Sequence, residues 1–169
     1  MKAEILSVGT EILVGSILNT NCRFLSAKLA ENAIDVYRHT SVGDNTERLK
    51  AAFAEALDRA DLVITSGGLG PTEDDVTVRA LAAFLGRKLV LHRPTYDTIA
   101  KKLKIRGRRM NRLIARQCFV PLGSRILQND MGTAPAILTE IRLRGHAKWV
   151  LLLPGPPREL EPLFTQKAL

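Results

Sequence analysis

Glycine and acidic residues recur together in three short segments of the sequence, and each segment follows an apolar run. The segments are Ser-Val-Gly-Thr-Glu at 7–11, Val-Gly-Asp-Asn at 42–45, and Thr-Ser-Gly-Gly-Leu-Gly-Pro-Thr-Glu-Asp-Asp at 65–75. Glycine permits positive φ and lets backbone N–H groups approach an anion, while a following helix presents its positive dipole end. A phosphate-bearing ligand at Gly67, Gly68 and Gly70, held by their amides, is therefore one interpretation. A purely structural tight turn is the other.

Carboxylates lie in the same three segments and would repel a phosphate placed among them. These carboxylates are Glu11, Asp44, Glu73, Asp74 and Asp75. A divalent cation removes this repulsion, because Mg²⁺ binds through one or two carboxylates plus phosphate oxygens. The alternative for the aspartates is helix capping. Glu11 has the weakest structural alternative, since it stands in a glycine-flanked turn near the expected sheet edge.

Other common chemistries lack their sequence signatures. No GxxxxGK[ST] segment occurs, and a GxGxxG pattern starting at Gly68 would need glycine in place of Glu73. There is no HExxH, no Cys/His zinc spacing and no GxSxG. His39, His92 and His146 are dispersed, which favours surface or capping roles over catalysis.

Short apolar runs alternate with helical periodicity, which positions the three segments at the ends of strands. The predicted strands are residues 3–8, 34–42, 61–65, 119–127, 136–141 and 148–153. Strands joined by single helices imply right-handed crossovers and a parallel sheet, whose ligands bind at the carboxyl ends of the strands. We predict one three-layer α/β/α domain with a mainly parallel sheet over residues 1–169.

The helix boundaries are predicted from capping residues and apolar spacing. Asn19 or Thr20 caps a helix that buries Cys22, Leu25 and Leu29, and the segment 44–46 begins the most amphipathic helix. Asp74 or Asp75 begins the next helix, which ends at Gly86. A final helix follows the prolines of 154–157.

Composition indicates an ordinary globular protein, with 46% hydrophobic and 25% charged residues. No apolar run reaches the length of a membrane span, and the first residues enter a strand pattern without a signal peptide. Cys22 and Cys118 are isolated, which favours two free thiols in a reducing compartment over a disulfide. We therefore predict a cytoplasmic location and no membrane partner.

The net charge of +8 comes from a single basic segment, residues 101–116. It contains eight basic residues and no acidic one, whereas the other 17 basic residues balance the 17 acidic ones. A solvated or partner-facing surface, a site for ligand phosphates and a nucleic-acid surface all remain open. The segment has no aromatic residue for base stacking, so we predict no specific nucleic-acid partner.

These motifs together resemble a known family. The residues similar to the N-terminal domain of the CinA competence/damage-inducible family are Ser-Val-Gly-Thr-Glu-Ile-Leu-Val-Gly at 7–15 with Asn19-Thr20-Asn21, the segments 42–45 and 65–75, Gly-Thr-Ala-Pro at 132–135 and Leu-Pro-Gly-Pro-Pro-Arg-Glu-Leu at 153–160. More distantly they resemble the molybdopterin-binding domains of proteins such as MogA, MoaB and MoeA. The resemblance runs end to end. It implies a molybdopterin-binding-like α/β fold and, for CinA-type domains, a divalent-metal-dependent ADP-ribose pyrophosphatase.

The resemblance also implies a set of site residues. Asp75, Asp44 and Glu11 would be both the catalytic residues and the metal ligands. The ligand-binding residues would be Gly67, Gly68, Gly70, Thr72, Ser66, Gly9, Thr10, Thr133, Pro154 and Gly155. We further expect a nucleotide or pterin ligand, a homo-oligomer, and no activity of the amidase domain that longer members carry.

Two alternatives to hydrolysis stay open. One is a molybdopterin-binding protein or adenylyltransferase of molybdenum-cofactor biosynthesis, although such proteins carry threonine where this chain has Leu69. The other is a non-catalytic nucleotide-binding module.

Overall fold

A six-stranded sheet forms the centre of the computed structural model, which describes residues 1–168. The strands are β1 (Lys2–Val8), β2 (Asp35–Val42), β3 (Leu62–Ser66), β4 (Leu89–Leu91), β5 (Phe119–Pro121), β6 (Arg125–Leu127), β7 (Ala136–Leu143) and β8 (His146–Leu153). The large sheet has the order β2-β1-β3-β8-β7-β6, and β4 pairs with β5 in a small antiparallel sheet. Neighbours from β2 to β8 run parallel, while β7 is antiparallel to both β8 and β6. The predicted mainly parallel sheet is confirmed.

Seven α-helices connect or flank these strands within the described residues. They are α1 (Thr10–Leu13), α2 (Thr20–Glu31), α3 (Thr46–Arg59), α4 (Thr77–Leu85), α5 (Arg93–Ile105), α6 (Arg112–Ala115) and α7 (Pro157–Leu163). Asparagine side chains cap α2 and α3: Asn19 accepts from the Cys22 N–H at 3.2 Å, and Asn45 accepts from the Arg48 N–H at 3.0 Å. The sequence predicts Asn19 or Thr20 as the first cap and a helix start within 44–46, and the structure selects Asn19 and Asn45.

Helices cover both faces of the large sheet, because alternate side chains of each strand point to opposite faces. Along β1, Ala3 and Ile5 pack in a cluster with α2 and α7, whereas Leu6 and Val8 pack with α3 and α4. The result is the three-layer α/β/α arrangement predicted from the sequence. Strands β3 and β8, at the centre of the sheet, contribute alternate residues to both clusters.

One predicted strand is wrong as a single element. The segment 119–127 forms two strands, β5 and β6, which belong to different sheets. Gly123, at φ 82°, lies in the turn between them. A residue with positive φ cannot continue a pleated strand, so the chain turns there.

Cys22 and Cys118 are both buried and free, as predicted. Burial raises the pKa of the Cys118 thiol to about 11. Within residues 1–168, no helix combines the length and apolar character that crossing a membrane requires.

Candidate ligand-binding site

A cavity of about 700 Å³ opens at the carboxyl ends of the parallel strands, within the size range of small-molecule sites. The three glycine segments meet there, as parallel strand topology predicts. Predicted site residues that line it are Gly9, Glu11, Asp44, Ser66, Gly67, Gly68, Gly70, Asp75, Thr133, Pro154 and Gly155. Thr10 and Thr72 do not line the cavity, and each instead bonds to a carboxylate that does, Asp44 and Asp75 respectively.

The glycine loop between β3 and α4 is packed too closely for side chains. Gly67 has φ 104°, and a Cβ there would overlap the Val8 carbonyl oxygen. Gly68 has φ 68°, and a Cβ there would overlap the Thr77 hydroxyl oxygen. Backbone packing therefore requires glycine at both positions, whatever else the loop binds.

Asp75 folds back over this loop instead of beginning the next helix. Its carboxylate accepts hydrogen bonds from the Gly70 N–H at 2.7 Å, the Thr72 N–H at 2.8 Å and the Thr72 hydroxyl at 2.5 Å. Helix α4 begins at Thr77, so the prediction that Asp74 or Asp75 begins it is wrong. The Asp75 carboxylate accepts hydrogen bonds from the loop amides, so it does not cap helix α4.

The three glycine amides do not form the predicted cradle together. The Gly67 N–H donates to the Leu153 carbonyl at 3.0 Å, and the Gly70 N–H is bonded to Asp75. Among the described residues, only the Gly68 N–H of the three has no acceptor. The loop thus offers one glycine amide to an anion, next to the positive end of the nine-residue helix α4.

Two further carboxylates of the cavity, Glu11 and Asp44, belong to the turns after β1 and β2. Asp44 Oδ2 accepts from the Thr10 N–H and from the Thr10 hydroxyl, both at 2.9 Å, which ties these two turns together. Glu11 accepts no hydrogen bond from residues 1–168, and its carboxylate lies over Gly9, 2.5 Å from where a Cβ would stand.

A preformed three-carboxylate metal site is not present in the described part of the chain. No three His, Cys, Asp or Glu side chains are grouped there to hold an ion, and the Asp75 carboxylate is instead bonded to the glycine loop. Two carboxylates plus ligand phosphates do suit Mg²⁺. Glu11 and Asp44, which share one wall, fit that smaller requirement.

Two amide side chains in the wall were not predicted as site residues. The Asn21 side-chain N–H₂ donates to the Gly155 carbonyl at 2.7 Å, and the Gln117 N–H₂ donates to the Leu69 carbonyl at 3.1 Å. Asn21 could have been found from its place in the Asn19-Thr20-Asn21 segment. Gln117 reaches the loop from 48 residues away, and no local pattern marks it.

The basic segment contributes one lysine to the architecture of the site. Lys102 Nζ donates to three carbonyls, of Asn129 at 2.5 Å, Gly132 at 2.8 Å and Asp130 at 3.1 Å. Burial lowers the pKa of this ammonium. The loop it holds continues into Thr133 and Ala134 of the cavity wall.

Most of the remaining basic segment is a solvated surface. Arg116 pairs with Glu73 at 2.6 Å, and its hydrogen bond lowers the pKa of that carboxyl. The six other cations are exposed and form no ion pair with the described residues. They are Lys101, Lys104, Arg106, Arg108, Arg109 and Arg112.

The fold and cavity define a class: a three-layer α/β domain with an open cavity beside a glycine-rich βα loop. Residues 4–168 match the sequence family described as a probable molybdopterin binding domain. A CinA-like protein of Kosmotoga olearia is 51% identical over 164 residues, which cover 97% of this chain and 39% of that protein. A CinA-like protein of Dictyoglomus thermophilum is 50% identical with the same coverage.

A solved structure agrees with these sequence relatives. The crystal structure of the protein CinA with unknown function from Thermoplasma acidophilum has a TM-score of 0.87 and 35% identity, covering 96% of this chain and 93% of that one. The chain belongs to this family and is a CinA-like member of it, as predicted. It spans about two fifths of the length of the curated relatives.

More distant structures share the fold alone. The tungsten cofactor synthesizing protein MoaB from Pyrococcus furiosus has a TM-score of 0.65 at 18% identity, covering 96% of this chain and 86% of that one. Homo-oligomerisation and cytoplasmic location stay predictions from the sequence.

Proposed function

We propose that this domain hydrolyses the phosphoanhydride bond of ADP-ribose, or of a related nucleotide sugar, with the help of a divalent metal ion. The observation that carries the proposal is the cavity itself. Its lining combines a glycine loop that has a free amide with two carboxylates from neighbouring turns, Glu11 and Asp44. Anion-binding and cation-binding groups in one cavity suit a metal-bound diphosphate.

The diphosphate would lie against the glycine loop. There the Gly68 N–H has no acceptor among the described residues, and helix α4 begins directly behind it. A donor fixed in place before the reaction stabilises charge that develops on a phosphoryl oxygen. Asp75 would act as a positioning residue, since its carboxylate holds Gly70 and Thr72.

Glu11 and Asp44 would hold the metal ion, which when bound would polarise the phosphoryl oxygens and neutralise their charge. Of these two carboxylates, Glu11 has no hydrogen-bond donor among the described residues, so its second oxygen can accept a proton from an attacking water. The water oxygen bonds to one phosphorus of the diphosphate, and the bond from that phosphorus to the bridging oxygen breaks. The products are AMP and ribose 5-phosphate.

The family description favours one other candidate function, the binding of a molybdopterin. The cavity has room for a pterin, at about 700 Å³. This candidate places no demand on Glu11 as a proton acceptor, so the same experiment distinguishes the two.

Product analysis with a Glu11→Gln variant tests the proposal. The protein is incubated with ADP-ribose, with other nucleoside diphosphate sugars, or with molybdopterin plus ATP, each with Mg²⁺ or with a chelator. We expect AMP from ADP-ribose only when metal is present. Glu11→Gln should lower turnover about a hundredfold or more, because general-base assistance contributes about that much, with an unchanged melting temperature.

Glu55→Gln is the matched control, because Glu55 is an exposed residue of α3 outside the cavity. It should leave turnover unchanged. Binding of ADP-ribose without any AMP would show a non-catalytic module. Adenylylation or binding of the pterin, with no effect of ADP-ribose, would show the molybdopterin alternative.

A further inference from the structure

Unpartnered polar atoms concentrate in the wall of the cavity. Within residues 1–168, the buried side-chain atoms that lack a hydrogen-bond partner are Asn21 Oδ1, Thr65 Oγ1, Ser66 Oγ and Gln117 Oε1. Three of these residues line the cavity, and Thr65 is adjacent to Ser66. Buried polar groups are nearly always hydrogen-bonded, so this concentration points to a ligand that supplies the missing partners.

The chemistry of the two amides is fixed by their other bonds. Asn21 and Gln117 each face a backbone carbonyl, of Gly155 and Leu69 respectively, and a carbonyl only accepts hydrogen bonds. The N–H₂ group must therefore point at the carbonyl in both cases. The free atom is the amide oxygen, which accepts and never donates.

The two oxygens belong to opposite ends of the glycine loop. Asn21 is bonded to the carbonyl of Gly155. A Cβ atom placed on Gly155 would lie 3.5 Å from the Cα of Gly67, so Gly155 is close to the start of the loop. Gln117 is bonded to Leu69, on the far side of Gly68. The free Gly68 amide thus stands between two hydrogen-bond acceptors.

We propose that Asn21 and Gln117 are specificity residues that accept hydrogen bonds from hydroxyl or amino groups on the two sides of a bound diphosphate. The matching ligand class is a nucleoside diphosphate sugar, which carries donors at both ends of its diphosphate. Placing the diphosphate at the loop rests on the proposed function. Both residues line the cavity but their oxygens are buried, so a side-chain shift accompanies the bonding of these oxygens to the ligand.

An inorganic anion does not satisfy such a site. Pyrophosphate offers only acceptors on its ionised oxygens, and an amide oxygen gains nothing from them. ADP supplies donors on one side of the diphosphate, and ADP-ribose supplies them on both. Affinity should therefore rise in the order pyrophosphate, ADP, ADP-ribose.

Binding of these three ligands to the parent protein and to Gln117→Met and Asn21→Leu variants tests the proposal. Calorimetric titration in the same Mg²⁺ buffer gives each dissociation constant. Each variant should weaken ADP-ribose binding about tenfold, the effect of losing a buried hydrogen bond of about 1.4 kcal/mol. Pyrophosphate binding should change less than about twofold. Gln128→Met is the matched control, since Gln128 bonds to Thr95 outside the cavity.

Comparing the three ligands shows whether Asn21 and Gln117 bond to the ligand or only hold the backbone of the cavity wall. Each substitution also removes a hydrogen bond to a backbone carbonyl, and that loss would weaken all three ligands alike. Equal weakening would therefore overturn the proposal. The parent protein gives a second test that needs no variant: equal affinity for ADP and ADP-ribose would also overturn it.

The outcomes distinguish this inference from the proposed function. Selective weakening with no AMP formed would support the specificity residues and refute hydrolysis. Hydrolysis by the parent protein, with an unchanged KM in both variants, would refute the specificity residues and support hydrolysis. Failure of the parent protein to bind ADP-ribose would refute both.

Discussion

The two sides of the cavity are constructed in different ways. The glycine-loop side, residues 66–75, is fixed by its own polar groups: Asp75 accepts three hydrogen bonds, and the Thr77 hydroxyl donates to the Gly67 carbonyl at 2.9 Å. Gly67 also continues the sheet through its bond to Leu153. The polar groups left for a ligand on this side are the Gly68 N–H and the Ser66 hydroxyl.

The first-turn side, residues 9–18, has the opposite character. Helix α1 has four residues and buries none of them, and Leu18 is 87% exposed. Its attachments to the rest of the sheet edge are the Thr10 bonds to Asp44 and the Gly9 N–H bond to the Val42 carbonyl at 3.0 Å. Glu11 has no donor among the described residues, so this side keeps its charge for the ligand.

Acidic residues with the same motif pattern therefore have separate tasks. Asp75 holds the backbone of the glycine loop, whereas Glu11 on the first-turn side lines the cavity with no hydrogen-bond donor among the described residues. Regions with few buried contacts also open more readily than regions with many. The following substitutions test the contrast, beginning with the largest effect.

Alanine at two positive-φ glycines should have very different effects. Gly67→Ala places a Cβ against the Val8 carbonyl oxygen, and we expect about 3 kcal/mol or more of lost stability. Gly15→Ala, at φ 72° on the first-turn side, has no atom within 4 Å of its Cβ and should cost about 1 kcal/mol. Urea unfolding measures both. Similar losses would mean that the two sides are equally tightly packed.

Substituting asparagine for Asp75 or for Asp74 should show which of the two carboxylates stabilises the glycine loop and which is only a surface charge. Asp75→Asn replaces one acceptor oxygen with N–H₂, which faces the loop donors, and should lower stability by about 1–3 kcal/mol. It should weaken pyrophosphate binding as well. The exposed Asp74 forms no side-chain hydrogen bond in the described chain, so Asp74→Asn should change stability by less than about 0.5 kcal/mol. If the Asp75→Asn protein were as stable as the parent protein, the Asp75 carboxylate would not stabilise the loop.

The two thiols report on the two sides without any change of stability. Cys118 follows Gln117 near the glycine loop, and its pKa, raised from 9.0 to about 11, lowers the thiolate fraction at pH 8 about a hundredfold. Cys22 lies beside Ser7 and the Asn19 cap, where the first-turn side joins α2. In native protein we expect a thiol reagent to label Cys22 first and Cys118 only on global unfolding.

Mass spectrometry of digested samples assigns each label, and single Cys→Ala variants confirm the assignment. Raising the pH from 8 to 10 increases the thiolate fraction of Cys118 about tenfold at a pKa of 9.0 but about ninetyfold at a pKa of about 11. The labelling of Cys118 should therefore speed up by a larger factor in native protein than in unfolded protein. Faster native labelling of Cys118 than of Cys22 would contradict the contrast between the sides.

Local features of this fold could be predicted from the sequence, and features that depend on distant contacts could not. The caps Asn19 and Asn45 act on amides three residues away, so the sequence narrows the first cap to Asn19 or Thr20 and the second helix start to residues 44–46. In a parallel sheet, the carboxyl ends of the strands lie at the same edge, so the turns that follow them come together. The convergence of Glu11, Asp44 and the glycine loop on one cavity could therefore be predicted.

Asp75 shows where the sequence was ambiguous. An aspartate after a glycine loop suits either a helix cap or a bond back to the loop, and only the three-dimensional path of residues 70–75 decides between them. Gln117 and Lys102 act on residues 48 and about 30 positions away along the chain. Such contacts leave no periodic trace, so neither residue could be placed at the site in advance.

The Lys102 contacts limit how the site can be transplanted. The ammonium of Lys102 on α5 satisfies three carbonyls of the loop that continues into Thr133, and no other described side chain satisfies those three together. A designer who copies only the glycine loop and the first turn onto another parallel sheet would leave the loop at 129–132 without the ammonium group that holds it. Helix α5, although it lies outside the central sheet, belongs to the smallest portable unit of this binding site.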